Sequence, residues 1–260
     1  MKINIVYNKL IPDFESALSV IESTLINNKV EFKSFELDKM EHFGDFTFVI
    51  GGDGTLLKTA RFYNVPVLGI NLGRLGFLSQ ARATEINTVL ENVLDSKFKT
   101  EERLMLESEQ CLALNDFVIK GCSHSRTSKL YLEINGKFVC DYIADGLIIS
   151  TPTGSTAYGL SAGGPIISPN LNVFVIVPIC PHTLTARPIV VPDSEIITIS
   201  SSKDLTNYFA STDGQEFYEF KKEIEIKKSE NTACLALLDD SEFYTILRSK
   251  LHWGTSPACI

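Results

Sequence analysis

The stretch Phe46-Thr47-Phe48-Val49-Ile50-Gly51-Gly52-Asp53-Gly54-Thr55-Leu56-Leu57-Lys58-Thr59-Ala60 decides the fold. Aromatic and β-branched residues from Phe46 to Ile50 read as a buried strand. Three glycines within four positions follow it, and they remove the side chains that would keep phosphate oxygens away from backbone N–H groups. After Thr55 the apolar residues do not alternate as a returning strand requires; Leu56, Leu57 and Ala60 instead share one helical face. Strand, glycine loop and helix together make a phosphate cradle with a carboxylate, Asp53, inside it. The competing reading is a hairpin, because Asp-Gly is a favoured two-residue turn.

The flanking sequence repeats the pattern. A strand at Ile3 to Val6 precedes a helix in which Phe14, Leu18, Ile21 and Leu25 recur at helical spacing. A strand at Val30 to Leu37 follows, then the glycine loop's own strand and helix. Another strand at Pro66 to Ile70 leads to a helix bearing Ile86, Val89, Leu90, Val93 and Leu94. Residues 1–97 therefore read as a parallel, Rossmann-like α/β domain, in which ligands sit at the carboxyl ends of strands. A second glycine loop, Asn71 to Phe77, opens at the same edge and reads equally as an ordinary turn.

From about residue 98 the texture changes to short strand-like runs, among them Leu112 to Lys120, Lys129 to Ile134, Phe138 to Tyr142 and Leu147 to Ser150. Asn135-Gly136 is a hairpin signal. Further runs at Val173 to Val177, Glu195 to Ser200, Tyr208 to Thr212, Glu223 to Ile226 and Ala233 to Leu238 give an all-β domain over 98–240. Thr156 to Ala162 interrupts it as a helix. Residues 241–260 begin with a helical pattern to Leu251 and are expected to pack back on the first domain.

Composition narrows the function. A net charge of −8 and a pI near 5.1 argue against a nucleic-acid partner, which calls for a basic face. A polyanionic ligand can still draw positive potential from backbone amides, a helix N-terminus, a few basic side chains and a divalent cation. Cys111, Cys122, Cys140, Cys180, Cys234 and Cys259 contain no Cys-x-x-Cys pair and read as reduced thiols of a cytoplasmic protein. The first residues lack a signal peptide's apolar core and cleavage site. The longest apolar run, Val173 to Cys180, contains Pro178 and falls short of the roughly 20 residues a membrane span needs. His42, His124 and His252 show no metal-ligand spacing, and His182, among Pro178, Pro181 and Pro188, reads as a structural loop residue.

Three further segments point to a family. Asn115-Asp116 sits inside an apolar run, Asp145-Gly146 precedes a strand, and Thr151-Pro152-Thr153-Gly154-Ser155-Thr156-Ala157-Tyr158-Gly159-Leu160-Ser161-Ala162-Gly163-Gly164-Pro165 follows it. With Gly51 to Thr55 and the run from Pro178 to Pro188, these segments resemble NAD kinase from about residue 48 to 215, in matched order and spacing. The Gly-Gly-Asp-Gly loop also occurs in 6-phosphofructokinases and in diacylglycerol and sphingosine kinases, whereas the segment around Tyr158 resembles NAD kinase alone.

The resemblance implies a Rossmann-like N-terminal domain, a β-sandwich-like C-terminal domain and a nucleotide site in the cleft between them. It implies phosphorylation of the adenosine 2′-hydroxyl of NAD, to give NADP, at the expense of ATP or polyphosphate, with Mg²⁺ or another divalent cation. It also implies a homodimer or homotetramer. Asp53 matches the family's loop aspartate and is expected to take the hydroxyl proton, with cation binding as its rival role. Gly51, Gly52 and Gly54 give close backbone approach, and Lys58, a turn into the helix, reaches for a phosphate. Asn115 and Asp116 match the pair that recognises adenine or ribose edges. Asp145 matches the aspartate on the nicotinamide side, and Thr156, Ala157, Tyr158 and Ser161 match positions that line the dinucleotide. Arg126 and Gln215 fall where the family places further contacts. Ile143 departs from members that carry a basic residue there, which leaves the choice among related dinucleotides open. The rival functions are a lipid or sugar kinase sharing the glycine loop, and a dinucleotide sensor without turnover.

Overall fold

A computed structural model describes residues 1–73, 76–79, 81–109, 111–121, 127–201, 208–220, 222–238 and 243–252. Arg126 lies outside these residues, as do Arg74, Leu75, Cys122, His124 and Cys259. The described chain divides into two units, one of residues Met1–Glu102 with Ala233–Ile260 and one of Arg103–Thr232.

The first unit alternates strands and helices: β1 (Lys2–Tyr7), α1 (Phe14–Asn27), β2 (Glu31–Glu36), β3 (Phe46–Ile50), α2 (Asp53–Phe62), β4 (Val67–Asn71), β5 (Ala81–Arg82) and α3 (Ile86–Leu94). β1 pairs in parallel with β2 and with β3, β3 with β4, and β4 with β5. All five residues of β3 and of β4 are buried, as expected of central strands covered on both faces. Ile3, Ile5, Phe46, Phe48, Ile50, Leu68 and Ile70 share one core with Ile21 and Leu25 of α1 and Val89, Leu90 and Val93 of α3. The sheet is the Rossmann-like layer expected from the alternation, and β3 delivers the glycine loop at its carboxyl end.

The second unit is built from the part of β6 (Lys99–Ser108) from Arg103 onward, β7 (Cys111–Ala113), β8 (Asp116–Gly121), β9 (Ser128–Ile134), β10 (Lys137–Ala144), β11 (Gly146–Ser150), a short helix α4 (Tyr158–Ser161), β12 (Val173–Ile179), β13 (Ile189–Pro192), β14 (Ile197–Ser201), β15 (Tyr208–Thr212), β16 (Glu216–Phe220) and the first part of β17 (Glu223–Leu237). A turn of 3₁₀ helix over Thr153–Thr156 leads into α4. One sheet runs β10-β9-β14-β17 and the other β13-β12-β11-β8-β15-β16. Between them Leu130, Leu132, Ile197, Ile199, Ile224 and Ile226 pack against Phe117, Ile119, Leu147, Ile149, Phe174 and Ile176. This β-sandwich agrees with the all-β reading. The outer face of the second sheet is apolar too: Val118, Ile148, Val175 and Val177 are covered by Ala162 and Ile167. That covering holds the segment from Thr151 to Ile167 against β8 and β11.

The Asn135-Gly136 hairpin joins β9 to β10, with φ of 51° and 71° at the two turn residues, the left-handed pair of a type I′ turn. The two strands expected at Glu223 to Ile226 and Ala233 to Leu238 are one continuous strand, β17. Its polar middle, Lys227 to Thr232, reads as a break because solvated side chains carry no strand signal, although the main chain stays extended. β6, β13 and β16 carry no alternation that sets them apart in sequence. From Ala233 the chain belongs to the first unit, where Leu235 pairs in parallel with Val67 of β4 and Ala236 joins the core. Helix α5 (Phe243–Leu251) follows and buries Leu247.

Candidate active site

In the first unit the loop is shaped by close approaches. A Cβ on Gly51 would strike the Thr55 side chain, whose hydroxyl accepts a bond from Asn8 Nδ2 at 3.3 Å. Gly52 is the N-cap of α2 with an ordinary extended backbone, and a Cβ there would meet only Asn71 Nδ2, at 4.0 Å. Gly54, on the first turn, is exposed. Asp53 opens α2, and its carboxylate turns toward the loop after β4. Phe77 N donates to Oδ2 at 2.7 Å; Ser79 donates to Oδ1 through its main chain at 3.2 Å and its hydroxyl at 2.9 Å. Leu78 N stands 3.4 Å from both oxygens. A Cβ on Gly76 would collide with this carboxylate. The second glycine loop thus packs on the carboxylate of the first. Lys58 sits one turn along α2, where its ammonium pairs with Asp38 at 2.7 Å.

In the second unit, Asn115, Asp116, Ala157 and Tyr158 line one cavity of about 380 Å³, together with Val118, Lys120, Ser211, Asp213, Gly214 and Phe217. Four of the residues expected at a dinucleotide therefore come together. Asn115 leads into β8 and Asp116 begins it, while Thr151 at the end of β11 anchors them: Thr151 Oγ1 donates to the Leu114 carbonyl at 2.6 Å and Thr151 N to that of Asn115 at 2.9 Å. Gly154 packs so tightly on the Asn115 main chain that a Cβ there would overlap it. Tyr158 exposes its ring, and the Lys120 ammonium lies 5.4 Å from the ring centroid and 3.4 Å from its hydroxyl.

Asp116 is the electrostatic centre of this cavity. It is only 4% exposed, and burial, reinforced by the negative charge of Asp213, pushes its pKa from 3.8 up to about 7. Its side chain lines the cavity and accepts no hydrogen bond among the described residues.

The remaining expected residues lie around these groups. Thr156 spends its hydroxyl on the Thr153 carbonyl at 3.3 Å, and Ser161 is exposed at the end of α4. Asp145 is exposed between β10 and β11, where its N–H donates to Ile179. Gln215 is half-buried, and its N–H closes the turn onto the Thr212 carbonyl. His182 is exposed and bonds through its main chain to Ile143. Asp213 and Lys120 were not foreseen; Asp213-Gly214 reads as no more than a turn, although it follows a strand and precedes Gln215.

Comparison with known proteins covers both units. Residues 11–98 match the family model of the ATP-NAD kinase N-terminal domain and residues 114–237 that of the ATP-NAD kinase C-terminal domain. The NAD kinase of Geotalea daltonii is 43% identical over 231 residues, covering 84% of this chain and 81% of the relative. That of Chloroherpeton thalassium is 38% identical over 246 residues, covering 90% and 87%. Among solved structures, an Archaeoglobus fulgidus NAD kinase in complex with ATP superposes with a TM-score of 0.80 at 27% identity, covering 97% of this chain and 98% of the other. Yeast NADH kinase complexed with NADH superposes with 0.86 at 25% identity, covering 98% and 89%. The likeness extends far beyond the glycine loop shared with sugar and lipid kinases. With both domain models matched in order along its length, the chain belongs to the NAD kinase family.

Proposed function

We propose that this chain transfers the terminal phosphoryl group of ATP to the adenosine 2′-hydroxyl of NAD, with Asp53 as the general base. The observation that carries the activity is the identity to NAD kinases across both units. In the reaction the 2′-oxygen attacks the terminal phosphorus, the bond from phosphorus to the leaving oxygen of ADP breaks, and the hydroxyl proton passes to the carboxylate. Oδ1 of Asp53 receives two close donors from Ser79, whereas Oδ2 receives one, from Phe77. Oδ2 therefore keeps a lone pair for the hydroxyl. General-base assistance contributes about 10²–10⁴-fold, and the rest comes from positioning and charge neutralisation.

Gly51, Gly52 and Gly54, at the N-terminus of α2, serve the donor phosphates. Lys58 reaches them by leaving Asp38, an exposed pair of the kind worth about 0–1 kcal/mol. Asn115 and Asp116 take the dinucleotide's sugar and base edges, Ala157 admits it closely, and Tyr158 offers a stacking face. Thr156, Ser161, Asp145, Gln215 and Arg126 complete the contacts. Among the described residues no three His, Cys, Asp or Glu side chains gather as a cation site, and Asp53 is engaged by main-chain donors. These residues do not fit a resident metal, so the divalent cation arrives with ATP as part of the metal–ATP substrate.

The chain works as a homo-oligomer in the reducing cytoplasm. Phe138, Val139 and Ile143 lie exposed on β10, the edge strand of its sheet, and an apolar edge calls for cover. Cys111, Cys140, Cys180 and Cys234 carry free thiols. No helix among the described residues is long and apolar enough to cross a membrane. The test is NADP formation from NAD by the purified chain, with Mg·ATP and polyphosphate compared as donors. NADP is expected with ATP; binding of NAD without any NADP from either donor would replace the kinase with a sensor.

A further inference from the structure

We infer that Asp213 is the positioning residue for the Asn115-Asp116 pair, holding the main chain that aims both side chains into the dinucleotide cavity. The inference rests on the reading above that this pair binds NAD. Three consecutive N–H groups converge on the one carboxylate: Leu114 N on Oδ2 at 3.0 Å, Asn115 N on Oδ1 at 2.7 Å and Asp116 N on Oδ1 at 3.1 Å. Successive amides of a strand point in alternate directions, so three that converge cannot all be met by a neighbouring strand and need an anion. Asp213 N returns a bond to the Asp116 carbonyl at 3.0 Å. Thr151 and Ser150 occupy the Leu114 and Asn115 carbonyls. The main chain of the pair is fully engaged, while the Asn115 amide has no protein partner among the described residues and lines the cavity.

The turn that carries Asp213 sharpens the point. Asp213 and Gly214 have φ of 52° and 67°, and Gln215 N bonds Thr212 O at 2.9 Å, a type I′ turn at the tip of the β15-β16 hairpin. Asn-Gly serves that turn as well as Asp-Gly does. Local turn chemistry therefore gives no reason for aspartate over asparagine; the three donors do, because an asparagine would turn its own NH₂ toward an N–H.

Asp213→Asn keeps the turn and breaks the clamp. The expected result is a KM for NAD raised at least about tenfold, with the KM for ATP unchanged. Asp213 is also the second cause raising the Asp116 pKa, and the other ionisable groups lining the cavity are Lys120 and Tyr158. The pH at which the KM for NAD changes should therefore move to the acid side, with the unchanged KM for ATP as the control against general loosening. Asn115→Ala and Asp116→Asn serve as references. If they leave the KM for NAD unchanged, the binding role of the pair fails; if they raise it and Asp213→Asn does not, the clamp fails. Should Asp213→Asn not fold, amide hydrogen exchange on the unaltered, NAD-free protein decides: Leu114, Asn115 and Asp116 are expected to be protected, and fast exchange there overturns the inference.

Discussion

Replacing Asp116 with asparagine separates what this carboxyl does for binding from what it does to the fold. Its pKa is 3.8 in an ordinary setting and about 7 here, raised first by burial and then by the charge of Asp213. The difference of about three units corresponds to about 4 kcal/mol. Between those two pH values the folded chain holds a proton that the unfolded chain has released. The stabilisation is thus fully present below about pH 4, declines as pH rises and is gone above about pH 7. Asparagine is neutral throughout and close in shape, so the difference between variant and parent isolates this one group. From about pH 5.5 to about pH 8 the variant should gain about 2 kcal/mol on its parent, measured by urea unfolding of both proteins at the two pH values. Binding moves the other way. On the proposed role the ionised carboxylate accepts ligand hydroxyls, so the parent's KM for NAD should fall as pH rises through about 7, and the variant's should be raised roughly ten- to a hundredfold. A stability difference that is the same at both pH values would refute the reasoning, because Asp116 would then be ionised in the folded chain throughout.

Asp53→Asn should lower kcat by about 10²–10⁴-fold while NAD still binds by calorimetry; near-normal turnover removes Asp53 as the base. Gly76→Ala places a methyl group against the Asp53 carboxylate and should reduce kcat by about a hundredfold through misplacement, with a much smaller change in the KM for NAD; an unaltered kcat shows that the loop contact is dispensable. Phe138→Asp, on the exposed edge of β10, should lower the mass measured by light scattering to that of a single chain, and an unchanged oligomer would assign the interface elsewhere.

Sequence pattern reports what is local and periodic, and the site divides along that line. The β3-loop-α2 unit was legible because glycines, strand residues and a helical face follow one another within fifteen positions. The cavity residues Asn115, Asp116, Ala157 and Tyr158 were legible through motifs whose spacing the family shares. The donors to Asp53 were not, because three are main-chain amides of Phe77, Leu78 and Ser79, which leave no mark on residue identity, and the fourth, the Ser79 hydroxyl, lies 26 positions away. Asp213 escaped for a different reason: its partners lie 97 to 99 positions away, and at short range Asp-Gly signals only a turn. Lys58 is legible as a lysine one turn into α2, but its pairing with Asp38 depends on packing that no periodicity encodes.

The passage of β17 from the second unit into the first bears on how the chain is made. The parallel sheet built around β1, β3 and β4 takes its last strand from Ala233 to Leu237, and Ala236 completes its core. A ribosome therefore finishes the whole sandwich-forming segment before the α/β unit receives its final piece. Until then Val67 presents an open edge of the kind that invites wrong pairing. Release of a chain stopped at Thr232 should yield an α/β unit with that edge still bare. Vectorial synthesis, which usually lets an N-terminal domain fold first, here makes the first domain to emerge the last to close.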